Sequence, residues 1–206
     1  MDTNIISIGV FIDGGYYAKI NEELNDNLSL QLNLNKLFNF IKSKVATISS
    51  ANSQDCQITE AHFFRGRYRA HAANQKHILL QERKFEDALI ENDVIFHYKH
   101  LREVKGTTGT TIIEKGIDVW YALETYELAQ IRRFDFVVLI TGDADHEMLI
   151  KKLKAMKINV LLLTWNVGPQ SSTSPFLKDE ATHHVELSNE CIQDGNILNM
   201  LCKTSK

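Results

Sequence analysis

The sequence predicts an α/β fold in which a mostly parallel sheet lies between two layers of helices. The first observation is a set of continuous apolar runs, at residues 5–12, 134–140 and 158–165, which is the pattern of strands covered on both faces. The second is that amphipathic stretches of helical length separate such runs, as residues 71–92 do. An alternation of strands and helices favours parallel pairing with helices on both sides of the sheet.

Each element is predicted from its own segment of the chain. Strands are expected at 5–12, 58–64, 93–101, 134–140, 158–165 and 183–188. Helices are expected at 15–24, 35–45, 71–92, 116–131, 146–157, 176–182 and 196–203. Polar segments at 47–57, 104–111 and 166–175 are expected to be loops. Residues 1–188 are predicted to form one domain, and 189–206 a C-terminal helical extension packed on it.

Composition excludes several classes of protein and site. The chain has 206 residues and a net charge of −3, which does not suit a generally basic nucleic-acid binder. Its three cysteines are odd in number and form no Cys-x-x-Cys pair, which argues against a disulfide framework or a thiolate zinc site. No H-E-x-x-H pattern, signal peptide or membrane span is recognisable, so a cytoplasmic protein without membrane contact is expected.

Acidic residues follow two of the predicted strands and begin one of the predicted helices. Asp13 ends the first strand, Asp143 and Asp145 follow the strand at 134–140, and Asp118 lies in the first turn of the helix at 116–131. Ligands of open parallel sheets bind at the carboxyl ends of the strands, so these four carboxylates are expected to converge. Converging carboxylates repel one another without a cation, and Mg²⁺ or Mn²⁺ prefers oxygen ligands.

Each acid also has a purely structural interpretation. Asp13 precedes two glycines and could form an ordinary turn. Asp118 is favoured in a first helical turn by the helix dipole, and Asp145 could be a helix N-cap. The metal site is the hypothesis that accounts for all of them together.

Three motifs resemble those of the NYN domain, the LabA-like branch of the PIN-like nucleases. They are VFIDGGYY, EKGIDVWYALE and VVLITGDADHEMLIKKLKAMKINVLLL, which occur in the family's order within residues 5–165. The resemblance implies a Rossmann-like, three-layer PIN-like fold and a ribonuclease whose catalytic, metal-binding acids are Asp13, Asp118, Asp143 and Asp145. It implies Mg²⁺ or Mn²⁺ as cofactor. Our hypothesis is that Asp13 and Asp143 bind this ion directly, whereas Asp118 and Asp145 bind it through water or orient the attacking water. The partner expected is RNA, and a homodimer is among the assemblies compatible with the sequence.

Candidate substrate contacts come from two sources. Arg65 and Arg67 follow the second predicted strand and suit phosphate contacts, although they are equally typical of a solvated helix start. Lys115 matches the family's basic position before Asp118. The chain departs from the family at Tyr16, where many relatives have Asn, and at His146, where many have an aromatic residue. Both are candidates for substrate contacts, His146 also having a plain role in a first helical turn.

Two other functions remain open from the sequence. A metal-dependent glycosyltransferase would use the Asp-x-Asp of residues 143–145 to bind a nucleotide-sugar diphosphate, but this hypothesis leaves Asp13 and Asp118 unexplained. A non-catalytic RNA-binding module would keep the fold without cleaving RNA. The presence of all four acids argues against a degraded site.

Overall fold

Strands and helices alternate along most of the chain. The computed structural model describes residues 5–68, 76–106, 109–166 and 173–205, with side chains except at 76–78, 103–106 and 109–112. The strands are β1 (Ile6–Asp13), β2 (Leu30–Leu32), β3 (Cys56–Arg67), β4 (Val94–His100), β5 (Arg102–Gly106), β6 (Gly109–Ile113), β7 (Phe136–Ile140), β8 (Asn159–Thr164), β9 (His183–Glu186) and β10 (Cys202–Thr204). The helices are α1 (Gly14–Leu28), α2 (Leu34–Ser49), α3 (Lys76–Glu91), α4 (Ile117–Arg132), α5 (Glu147–Ala155), α6 (Pro175–Glu180), α7 (Leu187–Gln193) and α8 (Gly195–Leu201).

Six strands form the central sheet in the order β4-β3-β1-β7-β8-β9, and every pairing between them is parallel. The chain runs outward from β1 to β3 and β4, returns to the centre at β7, and continues outward on the other side. The strand order therefore changes direction between β1 and β7. In an open parallel sheet this is the place where a crevice forms beyond the carboxyl ends of the strands.

Side chains alternate between two cores, one on each face of the sheet. From β1, Ile8, Val10 and Ile12 enter a core shared with α1 and α2, whereas Phe11 enters a core shared with α4 and α5. Strands buried on both faces explain the continuous apolar runs of the sequence. The predicted three-layer α/β fold with a parallel central sheet is confirmed.

Several boundaries differ from the sequence prediction. Residues 104–111 were expected to form a loop, but β5 and β6, on either side of residues 107–108, pair antiparallel with each other. The strand predicted at 58–64 begins earlier and extends to Arg67, so that Arg65 lies within β3 rather than after it. The start of the helix predicted from residue 71 and most of the loop at 166–175 lie outside the described residues.

The C-terminal residues pack on the first half of the chain. Leu201 of α8 lies in the same core as Leu37 of α2, and β10 pairs antiparallel with β2 through Cys202 and Leu32. Helix α7 lies between the predicted strand and the predicted last helix, where no helix was expected. None of the described helices is both long and apolar enough to cross a membrane.

Candidate metal centre

Asp13 joins the end of β1 to the start of α1. Its Oδ1 accepts hydrogen bonds from the backbone N–H groups of Gly15 (2.9 Å) and Tyr16 (3.1 Å), which makes it the N-cap of α1. Its Oδ2 accepts a hydrogen bond from Thr141 Oγ1 at 3.2 Å. Burial raises the pKa of the Asp13 carboxyl, the two N–H donors lower it, and the charge of Asp118 raises it again. Asp13 therefore has a structural role at the start of α1 and also presents its carboxylate at the carboxyl end of β1.

Asp143 follows β7 and is tied to Asp13 through a buried threonine. The backbone N–H of Asp143 donates to Thr141 Oγ1 at 3.2 Å, and the same hydroxyl donates to Asp13. Asp143 Oδ1 accepts from the backbone N–H of Asp145 at 3.0 Å and caps a short 3₁₀ turn that leads into α5. Because β1 and β7 are adjacent, Thr141 fixes the two acid-bearing segments relative to each other. The side chain of Asp145 is exposed.

Asp118 reaches the same edge from the first turn of α4. The helix begins after Gly116, whose φ of +79° lies in the left-handed region that a residue with a side chain adopts only with strain. This explains the glycine two residues before the acid. The side chain of Asp118 is exposed at the start of the helix.

Three side chains come close enough together to hold one cation. Asp118, Asp143 and His146 each offer a ligand atom, and these atoms all lie within 4.8 Å of one another. Two carboxylates and an imidazole are chemically suited to a divalent cation. Asp13, predicted as a direct ligand, is not a member of this group but lies beside it, whereas the predicted role of His146 was a substrate contact.

A pocket of about 340 Å³ opens beside this group at the carboxyl edge of the sheet. The described residues that line it are Asp13, Gly15, Tyr16, Lys19, Glu114, Asp118, Gly142 and Asp143. Three of the four predicted acids therefore face one cavity, and Asp145 is not among its lining residues. A larger groove of about 510 Å³ lies near the start of β3, away from the acids, and its lining includes Asn35 and Asn92.

Glu114 is a fifth acid that sequence reasoning missed. Although the residue is exposed as a whole, its Oε1 accepts a hydrogen bond from the backbone N–H of Gly66 at 2.9 Å. Burial of the carboxyl raises its pKa, and the charges of Asp13 and Asp118 raise it further. The feature of the sequence that could have identified Glu114 is its position directly before the Lys-Gly-x-Asp segment that contains Asp118. Lys19, one helical turn after Tyr16, is a pocket cation that was also missed.

His146 is buried among the acids, with 1% of its surface exposed. Its ring packs against Tyr121 at a centroid distance of 4.5 Å, and its Nε2 has no hydrogen-bond partner among the described residues. Burial lowers the pKa of His146, although the charges of Asp13 and Asp143 act in the opposite direction. The ring is therefore a buried part of the site. The sequence predicted His146 in a first helical turn, and it ends the 3₁₀ turn that leads into α5.

Tyr16 is also a buried part of the site. Its hydroxyl donates to the carbonyl of Trp165 (2.9 Å), accepts from the N–H of Trp165 (2.8 Å) and lies 3.2 Å from Thr173 Oγ1. Its ring covers Gly142, where an added Cβ would lie 2.7 Å from Tyr16 Cε2. Tyr16 lines the pocket with its ring while its hydroxyl holds the end of β8.

The basic candidates are distributed around the pocket rather than in it. Arg67 forms ion pairs with Glu86 (3.1 Å) and Glu82 (3.9 Å), so its guanidinium already has carboxylate partners within the protein. Arg65 is half-buried on the same strand, and Lys115 is exposed just before α4.

Comparison with known proteins decides the family. The NYN domain family model matches residues 7–188, which includes Asp13, Asp118 and Asp143. The chain belongs to the NYN domain family. NYN domains form part of the PIN-like superfamily and are generally nucleases that act on RNA, so a nuclease-type function is indicated for this NYN domain. No curated protein matches the chain.

A solved structure supports the fold of this NYN domain. The chain resembles the crystal structure of a protein of unknown function from Vibrio parahaemolyticus, with a TM-score of 0.57 and 18% sequence identity. The match covers 91% of this chain and 96% of the Vibrio protein. At this identity the likeness extends to the fold alone.

Proposed function

We propose that the protein is a divalent-metal-dependent ribonuclease that hydrolyses phosphodiester bonds of RNA at the pocket of Asp13, Asp118 and Asp143. The observation that supports this most directly is that three acids from three separate segments line one pocket at the strand ends of an NYN domain. A cluster of this kind is electrostatically unfavourable without a cation or a bound proton. Burial is the main cause of the raised pKa of Asp13 and of Glu114, and the charges of neighbouring carboxylates raise both further.

The proposed cation is Mg²⁺ or Mn²⁺, held directly by Asp118 and Asp143, with Asp13 beside them. When bound, such an ion supplies charge stabilisation at a phosphodiester and lowers the pKa of a water molecule. The protein positions these acids before substrate arrives, because Thr141 bonds both Asp13 and Asp143. Asp145, which is exposed and is not among the residues lining the pocket, is proposed to act through water.

The RNA is proposed to enter along the pocket's basic and aromatic borders. Lys19 lines the pocket, and Arg65 and Lys115 lie on neighbouring segments from which they can contact phosphates. Tyr16 is proposed to contact RNA with its ring, since its hydroxyl is engaged with Trp165. Arg67 is the weakest candidate, because Glu82 and Glu86 already pair with it.

Three further expectations accompany this function. The proposed location is the cytoplasm, where the free thiols of Cys56, Cys191 and Cys202 would remain reduced. Residues 1–188 are proposed as the catalytic domain, with 189–206 as its extension. A homodimer is a proposed assembly that sedimentation or light scattering would test.

The function is tested by incubating the protein with RNA and with single-stranded DNA in Mg²⁺, Mn²⁺ or chelator. The wild type is expected to cleave RNA only with metal. Asp143→Asn is expected to lower the cleavage rate about 100-fold or more, since charge stabilisation by a metal amounts to several kcal/mol.

The matched control is Asp87→Asn, which removes an exposed carboxylate from α3 that is not among the residues lining the pocket. It should leave cleavage unchanged. Equal cleavage by Asp143→Asn and wild type would overturn the assignment. RNA binding in chelator without cleavage in either metal would instead support a non-catalytic binding module, and stabilisation by a nucleotide sugar would support a glycosyltransferase.

A further inference from the structure

The unpartnered nitrogen of His146 needs a physical explanation. The residue is 1% exposed, and Nε2 has no hydrogen-bond partner in the described part of the chain. Buried polar atoms are nearly always paired, because leaving one unpaired costs about 1–3 kcal/mol. A bound ion is one of the recognised explanations for a polar atom that remains unpaired in a buried position.

The surroundings of His146 identify the chemistry of that ligand. One of its ring nitrogens lies within 4.8 Å of carboxylate oxygens of both Asp118 and Asp143. The two carboxylates carry the charge opposite to that of a divalent cation. A neutral imidazole beside two carboxylates is a mixed nitrogen and oxygen ligand set.

The position of the imidazole is well fixed. His146 ends the 3₁₀ turn that Asp143 caps, and its ring packs on Tyr121. The hydroxyl of Tyr121 donates to the carbonyl of Phe11 in β1 at 3.1 Å, which anchors Tyr121 in turn. A ligand held in this way loses little conformational freedom when it binds a cation.

We propose that His146 is a direct ligand of the cation, and that the site consequently selects a first-row transition ion such as Mn²⁺ or Co²⁺ over Mg²⁺. Mg²⁺ favours oxygen ligands and retains its waters, whereas imidazole is a good ligand for transition ions. This inference rests on the proposed function for the use of the ion in catalysis, but not for its binding.

The first test is spectroscopic and uses the intact protein with Mn²⁺ alone. Pulsed electron paramagnetic resonance detects the coupling of Mn²⁺ to a directly bound imidazole nitrogen. The wild type should show this ¹⁴N coupling and His146→Phe should lack it. Phe is a suitable replacement because it can keep the ring contact with Tyr121. Absence of ¹⁴N coupling in Mn²⁺-bound wild type overturns the proposal, whether or not the variant folds.

The second test measures affinity for Mn²⁺ and Mg²⁺ by calorimetry. The wild type should bind Mn²⁺ at least about tenfold more tightly than Mg²⁺, and His146→Phe should lose most of this ratio while retaining Mg²⁺ binding. The control is His62→Phe, since His62 is comparably buried (2% exposed) but lies on β3 outside this group. It should keep the wild-type ratio. Equal Mn²⁺-to-Mg²⁺ ratios in wild type and His146→Phe would contradict the inference.

The two proposals fail in different ways. Cleavage of RNA without nitrogen coupling would leave the ribonuclease intact and remove His146 from the ligand set. Binding of Mn²⁺ with nitrogen coupling but without cleavage of RNA would support His146 as a ligand and contradict the proposed ribonuclease activity.

Discussion

At the scale of single residues, Asp13 shows how one carboxylate serves both fold and site. Its Oδ1 caps α1 and its Oδ2 meets Thr141, while burial and the charge of Asp118 disfavour its ionised form. Asn is as good an N-cap as Asp. The cap and the charge can therefore be separated by substitution.

We predict that Asp13→Asn abolishes cleavage without destabilising the protein. In chelator, its free energy of unfolding should equal or exceed that of the wild type, because a buried charge is removed and the cap is kept. Asp13→Ala should be less stable than Asp13→Asn by about 1 kcal/mol, since it loses the cap. Urea unfolding in chelator measures both values. Equal destabilisation by Asn and Ala would mean that the carboxylate charge itself stabilises the fold.

That Asp13 and Asp143 lie at one edge of the sheet could be predicted from the sequence, because each follows a recognisable strand. Asp13 ends an apolar run, and Asp143 follows another, so the carboxyl-edge rule brought them together without coordinates. The grouping of His146 with Asp118 could not be predicted, because it depends on how the 3₁₀ turn after Asp143 directs the ring. Glu114 was missed for a similar reason: its contact with Gly66 joins segments that are distant in the sequence.

At the scale of elements, the segment between β7 and α5 carries the site and is held against α1. The ring of Tyr16 in α1 covers Gly142, and three polar contacts of its hydroxyl, to Trp165 and Thr173, keep that ring in place. The Tyr16 ring therefore cannot easily move away from Gly142. The absence of a side chain at residue 142 is therefore a packing requirement.

We predict that Gly142→Ala lowers both stability and cleavage. The added Cβ would lie 2.7 Å from a ring atom of Tyr16, so the segment bearing Asp143 must shift. Overpacking of this kind costs about 1–3 kcal/mol. The control is Gly195→Ala, where no atom lies within 4 Å of the added Cβ and the change should stay within about 0.5 kcal/mol. Thermal unfolding and RNA cleavage of both variants test this, and wild-type behaviour of Gly142→Ala would contradict it.

Element boundaries were predicted least well where local polarity was misleading. Residues 104–111 are rich in Thr and Gly and were expected to be a loop, yet β5 and β6 pair there through their backbones. Backbone pairing in a two-stranded hairpin does not require an apolar run, so periodicity gave no signal. The strand β3 continues through Arg65 and Arg67 because β4 pairs with it over that length.

At the scale of the whole molecule, the parallel sheet brings residues that are distant in the sequence to one edge. The reversal of strand order between β1 and β7 places Asp13 and Asp143 on adjacent strand ends, although 130 positions separate them in the chain. The buried layers that hold the sheet also contain polar groups. His62 and His97 lie in the layer under α4, with His62 Nδ1 3.0 Å from His97 Nε2.

These histidines should make stability depend on pH. Burial lowers the pKa of His62 below its usual 6.5, against the effect of Glu60, and burial also lowers that of His97, with His62 adding to the effect. Glu124 acts to raise both pKa values, and Arg132 to lower that of His62. In the unfolded chain a histidine takes up its proton at a higher pH than in the fold. The stability that the uncharged forms of His62 and His97 contribute is therefore fully present above about pH 6.5, and it is lost as the pH falls through and below that value.

We predict that His62→Phe weakens this dependence. Between pH 6.5 and 5, the free energy of unfolding in chelator should fall less steeply than in the wild type, by at most about 1.4 kcal/mol per pH unit, the effect of one proton. The matched control is His100→Phe, an exposed position on β4, which should keep the wild-type slope. Urea unfolding at several pH values measures the slopes. Identical slopes in His62→Phe and wild type would show that His62 takes up no additional proton on unfolding, and the acid sensitivity would then have to come from other groups of the molecule.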